Sequence, residues 1–328
     1  MNITSISILL CIIFTSCANE SLDNIEFRLT EQYVIDGSSC DTLVFTPMDL
    51  AIDSESRVFI LDSYADKVFV FNNNGEYLFE FGENGPGPGE FQDLSNRFHI
   101  DKDNHVYLID GGEIEVFTTQ GEYIGEILTD EYSIFDIAAY DTNSIYINTS
   151  FPVPNSDIPI IRQININGDV INEFGIIYPD VSSMEPWIQD AYRSCILAVD
   201  RDGSLYYTSA MDYRIYKYNK DGDLLYSIEC QSQYEPQFDN HNITPVIWDL
   251  CVEDDKIFVL WAQGSSELGY RIDVFRKDTG ELLGHFFSGA PSEIHNMCII
   301  IKDMIFYVGD YYNDNVYVFR LETDVTTI

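Results

Sequence analysis

Short apolar runs separated by polar turns set the reading of this chain. Val58-Phe59-Ile60-Leu61, Lys67-Val68-Phe69-Val70-Phe71 and Tyr77-Leu78-Phe79-Glu80-Phe81 follow one another with small and polar residues between them. Runs of this length, rich in β-branched and aromatic residues, predict strands. A Gly/Pro-rich stretch, Gly82 to Gly89, then opens onto a second set. It comprises Phe98-His99-Ile100-Asp101, His105 to Asp110, Glu113 to Phe117 and Tyr123 to Ile127. Four short strands with turn signals between them form one repeating unit. Gly-acidic turns mark the repeat at Gly75-Glu76, Gly121-Glu122, Gly168-Asp169, Gly222-Asp223 and Gly280-Glu281. Such turns supply the positive φ of a tight hairpin and are structural punctuation.

Six units are legible. The first strands of the later ones start at Phe135, Ser194, Ile247 and Asn296. Insertions are expected at Phe151 to Pro159, Tyr178 to Arg193 and Gln231 to Pro245. The last unit offers three strands, Asn296 to Ile301, Ile305 to Gly309 and Asn315 to Phe319. Ile25 to Leu29 or Tyr33 to Ile35, left over at the other end, would supply the missing one and remove the open sheet edges. The expected fold is all-β: a six-bladed β-propeller of four-stranded antiparallel blades, closed by an N-terminal strand. Residues 25–328 form this domain.

The pattern Phe81-Gly82…Gly87-Pro88-Gly89-Glu90-Phe91, then Ile100-Asp101…Val106-Tyr107-Leu108-Ile109-Asp110…Ile114-Glu115-Val116-Phe117, resembles the NHL-type propeller repeat. Together with Phe14-Thr15-Ser16-Cys17, small residues before a Cys near the N-terminus, the chain is similar to the six-bladed β-propeller lipoproteins of Bacteroidetes. The resemblance implies fold and cellular address, and little chemistry.

Residues 1–16 read as a signal peptide, with Ile8 to Phe14 as its apolar stretch, too short to span a membrane. Phe14-Thr15-Ser16-Cys17 resembles a lipobox, with Cys17 as the lipidated first mature residue and residues 17–24 as a tether. The expected address is the cell envelope, as an outer-membrane lipoprotein held to the membrane only through its lipid. Cys40, Cys195, Cys230, Cys251 and Cys298 remain; their odd number and lack of CxxC spacing oppose a zinc site or a disulfide framework. Cys195, Cys251 and Cys298 fall in first strands and read as small buried hydrophobes.

Composition changes the picture in one respect. A net charge of −38 with only 17 Lys and Arg excludes a nucleic-acid binder. The chemistry points to no single reaction. Gly82 to Gly89 lacks the Lys-Ser/Thr of a phosphate loop. No Gly-x-Ser-x-Gly or His-Glu-x-x-His is present. In a propeller, the loops on the face where inner strands begin usually carry the site. That rule nominates Asp49, Asn96, Arg97, Asp136, Arg193, Trp248, Asp249, His295 and Asn296 at the strand starts. It also nominates Tyr64, Gly111, Phe151, Asp212, Trp261, Gln263, Tyr311 and Tyr312 in the loops after second strands.

Two readings follow. The first is a monomeric binding module that captures a glycan, a peptide or a partner protein on that face and needs no cofactor. The alternative is a lactonase-like hydrolase or lyase holding Ca²⁺ in the funnel through oxygen ligands such as Asp49, Asn96, Asp136, Asp249 and Asn296. In that alternative His295 is the candidate base.

Overall fold

The structure is a computed structural model that describes residues 24–37, 45–130, 133–149, 159–176, 183–209, 211–229, 237–239, 242–244, 246–262, 270–287, 296–311 and 313–326. Six four-stranded antiparallel sheets stand around a central channel. Each of the first five blades takes its strands in chain order from the channel outward. Blade 1 runs Asp49–Ile52, Val58–Asp62, Lys67–Phe71 and Tyr77–Phe81. The inner strands of the others are Leu94–Ile100, Ile134–Asp141, Cys195–Val199, Val246–Glu253 and Asn296–Lys302.

Blade 6 is completed from the other end of the chain. Its outermost strand is Asn24–Ile35, paired with Asn315–Thr326 from Asn24↔Thr326 to Ile35↔Val316. The two leftover segments of the sequence are halves of this one strand, divided by a bulge between Glu31 and Tyr33. The Tyr33 hydroxyl donates to the carbonyl of Asn73 in blade 1, 2.7 Å away, which ties the last blade to the first.

Apart from a small cluster that packs Tyr192 of a helical segment on Met211, the core lies in six parts, one at each joint between neighbouring blades. This explains why second strands read as unbroken apolar runs. In Val58–Asp62, Phe59 and Leu61 face blade 2, while Val58 and Ile60 face blade 6. Alternate side chains point to opposite sides of a strand, and both sides are buried. Outer strands bury less, and Leu78, Ile124, Ile171 and Leu225 are 43–52% exposed.

The Gly-acidic turns do more than punctuate. A Cβ on Gly121 would crowd Phe81, one on Gly168 would meet the Leu128 carbonyl, and one on Gly280 would meet Ile228. Each turn therefore packs on the outer strand of the preceding blade. Gly75 does the same against Tyr33, so the N-terminal strand occupies a true outer-strand place.

Two elements were not expected from the sequence. Pro186–Arg193 is an α-helix with Pro at its first turn, where no amide is missed. Gln237–Asp239 and Asn242–Thr244 form a separate hairpin before blade 5. Cys195, Cys251 and Cys298 are free and buried, as expected, while Cys17, Cys40 and Cys230 lie outside the described residues.

Candidate functional site

The starts of the inner strands build a charged cluster around the channel. Asp49, Arg97, Asp136, Ile196, Asp249 and Cys298 each directly precede Leu50, Phe98, Ile137, Leu197, Leu250 and Ile299. Blades 1, 3 and 5 thus contribute an aspartate, and blades 2, 4 and 6 do not. Each carboxylate accepts two backbone amides. One comes from its own strand: Leu50 at 2.9 Å, Ile137 at 2.8 Å and Leu250 at 2.8 Å. The other comes from the next blade: Phe98 at 3.1 Å, Leu197 at 2.9 Å and Ile299 at 2.6 Å. The aspartates therefore fasten the joints 1/2, 3/4 and 5/6.

Arg97 supplies the positive charge among them. Its Nη1 lies 3.6 Å from Asp49 and 3.4 Å from Asp249, and its Nη2 donates to the Trp248 carbonyl at 2.6 Å. A bulge between Ile247 and Asp249 turns that carbonyl out of the ladder and makes it available. Blade 2 stands opposite blade 5, so this side chain crosses the channel near the face where the inner strands begin.

Burial governs the titration of the cluster. It pushes the Asp49 carboxyl up to about 8, with Arg97 opposing and Asp249 and Asp136 adding to the rise. It pushes Asp136 up to about 6 against the pull of Arg97 and of two backbone amides. Asp249 is also raised by burial. Burial works against the charge on Arg97, but the surrounding aspartates outweigh it and the guanidinium stays ionised.

Beyond Arg97 a cavity of about 310 Å³ follows the inner strands to the opposite face. Its lining includes His99, whose pKa burial lowers to about 4, so the ring is neutral near pH 7. Lys102, Arg201 and Lys302 stand at its far end. Lys102 lies over the Tyr140 ring at 5.3 Å, Arg201 pairs with Glu253 at 2.6 Å, and Lys302 donates to the Asp53 carbonyl. These contacts cross the joints 2/3, 4/5 and 6/1, which complements the aspartates at the other face. The sequence reading missed this trio. Its only signal was a basic residue after the first strand in alternate repeats.

The three aspartates of the alternative reading's Ca²⁺ set do not fit a cation. The oxygens of Asp49, Asp136 and Asp249 are committed to backbone amides, and Arg97 stands where a cation would balance them. Among the described residues no group of three His, Cys, Asp or Glu side chains is placed to hold a metal ion.

The remaining nominated residues divide. Asn96 is exposed and accepts from the Ser63 hydroxyl. Tyr64, 70% exposed, sets its hydroxyl 3.1 Å from that of Tyr311, joining blades 1 and 6. These residues share the expected face. Trp261 corrects the expectation: it belongs to the second strand of blade 5, Lys256–Ala262, rather than to a loop. Its indole donates to buried Asp273 at 3.1 Å, under the Arg271 guanidinium, within the joint of blades 4 and 5. Trp248 is half-buried and packs against the core of blades 5 and 6. Arg193 is buried at the end of the helix. Asp212 is half-buried, and burial pushes its carboxyl up to about 6. Gly111 is a turn glycine with φ 64°. Asn296 opens the inner strand of blade 6, opposite Asp310. Phe151, Gln263, His295 and Tyr312, and the side chain of Asn296, lie outside the described residues.

Comparison with known proteins agrees with this architecture. The sequence model of a family described as a 6-bladed beta-propeller matches residues 39–172. No curated protein matches the chain. An exported protein of Bacteroides fragilis is 15% identical with a TM-score of 0.58, over 94% of this chain and 98% of its own. A member of the duf4221 family from Bacteroides vulgatus is 8% identical with a TM-score of 0.61, over 93% of this chain and all (100%) of its own. A catalytically inactive virginiamycin B lyase from Staphylococcus aureus, with quinupristin, is 12% identical with a TM-score of 0.53, over 91% and 100%. At such identities the likeness is one of fold, and the chain is a six-bladed β-propeller.

Proposed function

We propose that this chain is a lipid-anchored, extracytoplasmic binding module that takes a glycan on the face where its inner strands begin. One observation carries the reading: Arg97 fills the channel between Asp49 and Asp249, where a hydrolase of the alternative kind would need a metal. The charged cluster then serves the ring itself, and recognition falls to the face above it. There exposed Tyr64 and half-buried Tyr311 set their rings together as an aromatic shelf, with Ser63 and Asn96 on the same face. A sugar ring stacks its apolar face on such a shelf and offers hydroxyls to the amide and hydroxyl nearby. The signal stretch and Cys17 support an envelope address, as does the likeness to an exported Bacteroides protein.

The test is a glycan-array screen of residues 18–328, followed by thermal unfolding with each hit. A ligand of the folded state raises the midpoint. The rise is expected to be lost in Tyr64→Ala and weakened in Asn96→Ala, and to be indifferent to Ca²⁺ or EDTA. Turnover of a lactone or glycoside that stops on adding chelator would replace this reading with the metal-dependent alternative.

A further inference from the structure

We infer that the lipid at Cys17 holds the propeller with the face where the inner strands end toward the bilayer, so that the Tyr64–Tyr311 face points away from it. The inference rests on the lipid-anchor reading above and adds an orientation that the anchor alone does not give.

Strand direction fixes where the tether meets the fold. First and third strands of every blade run away from the Asp49–Asp136–Asp249 level, and second and fourth strands run back. Asn315–Thr326 is the third strand of blade 6, so Thr326 lies at the far side. Asn24, its partner, lies there too. The second strand of blade 6, Ile305–Asp310, pairs only as far as Arg320. Beyond it, the rungs from Leu29↔Leu321 to Asn24↔Thr326 continue as a two-stranded ribbon.

The ribbon is not free to swing. Phe27, Leu29 and Leu321 are buried in the core of blades 5 and 6, and the Phe27 ring lies 6.1 Å from that of Phe286. Here the ribbon takes the place that a Gly-acidic turn occupies at other joints. The chain therefore enters the fold at the rim of the face that carries the Lys102, Arg201 and Lys302 mouth.

Chain length does the rest. From Cys17 to Asn24 a fully extended backbone reaches at most about 25 Å. A blade strand is itself about 17–20 Å tall, and loops add to both faces. Turning the propeller over would use nearly the whole reach of the tether merely in passing the body of the protein. The orientation leaves the aromatic shelf open to a polymeric ligand and limits the cavity mouth to solutes that diffuse beneath the ring.

The experiment uses the lipidated full chain in vesicles bearing an acceptor dye on the headgroups. Cys40 and Cys230 are replaced by Ser; Cys195, Cys251 and Cys298 are buried. A donor dye is placed through Glu83→Cys or Asp103→Cys, both exposed and at opposite faces near the same joint. Energy transfer is expected to be several-fold stronger from position 103. A long Gly-Ser insertion after Ser21 is expected to level the two. Equal or reversed transfer without the insertion, or a difference that survives it, overturns the inference. Flotation of Cys17→Ala separates the two failures. If that variant still floats with the vesicles, the lipid-anchor reading fails, and the orientation with it. If it does not float, equal or reversed transfer in the anchored protein refutes the orientation alone.

Discussion

Arg97 crosses the channel from blade 2 to blade 5, where its Nη1 lies 3.4 Å from Oδ1 of Asp249. One guanidinium thus stands among three buried aspartates, all of which favour its charged form. Removing one partner of a buried ionic group leaves the other uncompensated, at about 3–5 kcal/mol. Arg97→Met is expected to lose stability on that scale in denaturant titration. The double variant Arg97→Met/Asp249→Asn, which removes the second charge and keeps an acceptor for the Leu250 and Ile299 amides, is expected to recover part of it. Additive losses would mean that the two side chains are not coupled.

The same cluster predicts a pH dependence. Asp49 and Asp136 have folded pKa values of about 8 and about 6, above the ordinary carboxylate range. The folded state then binds the proton more tightly than the unfolded state. Such a group favours folding most at low pH, and that advantage is lost as pH rises from about 4 through the folded value. The thermal midpoint of the wild type is expected to fall more steeply between pH 4 and 8 than that of Asp49→Asn. The strong negative charge of the whole chain acts alike on both proteins and drops out of the comparison. Parallel curves would show Asp49 ionised throughout.

Closure by the N-terminal strand should govern the oligomeric state. Deleting residues through Asp36 bares the Asn315–Thr326 edge and removes buried Phe27, Leu29 and Ile35. An unpaired edge invites pairing with another chain. Light scattering on the truncated protein is expected to show association. Phe27→Ala, which leaves the strand in place, is expected to stay monomeric and to lose about 3–5 kcal/mol. A monomeric truncation with an unchanged midpoint would make the closure dispensable.

Two glycines separate backbone need from open space. Gly168 has φ 81°, and a Cβ there would meet the Leu128 carbonyl, whereas a Cβ on Gly125 meets nothing within 4 Å. Gly168→Ala is expected to cost at least about 1 kcal/mol. Gly125→Ala is expected to stay within about 0.5 kcal/mol of wild type. Equal effects would contradict the packing of the turn on the preceding blade.

The strands, the Gly-acidic turns, the number of blades and the source of the closing strand are legible in the chain alone. These follow from local alternation, turn chemistry and a count of repeats, all properties of neighbouring residues. Asp49, Arg97, Asp136 and Asp249 were also legible as residues at the strand starts. What each of them does depends on contacts between blades. The register between blades sets which amide meets each carboxylate, and the diameter of the ring lets Arg97 reach Asp249. Neither quantity is written in any short stretch. Trp261 makes the same point in reverse. A local reading ends its strand early and leaves the indole in a loop, but pairing with Tyr270–Arg276 extends that strand to Ala262. Its neighbours Tyr213 and Asp273 then hold the ring inside the joint. Burial is settled by what arrives from the next blade, and only the closed ring brings it there.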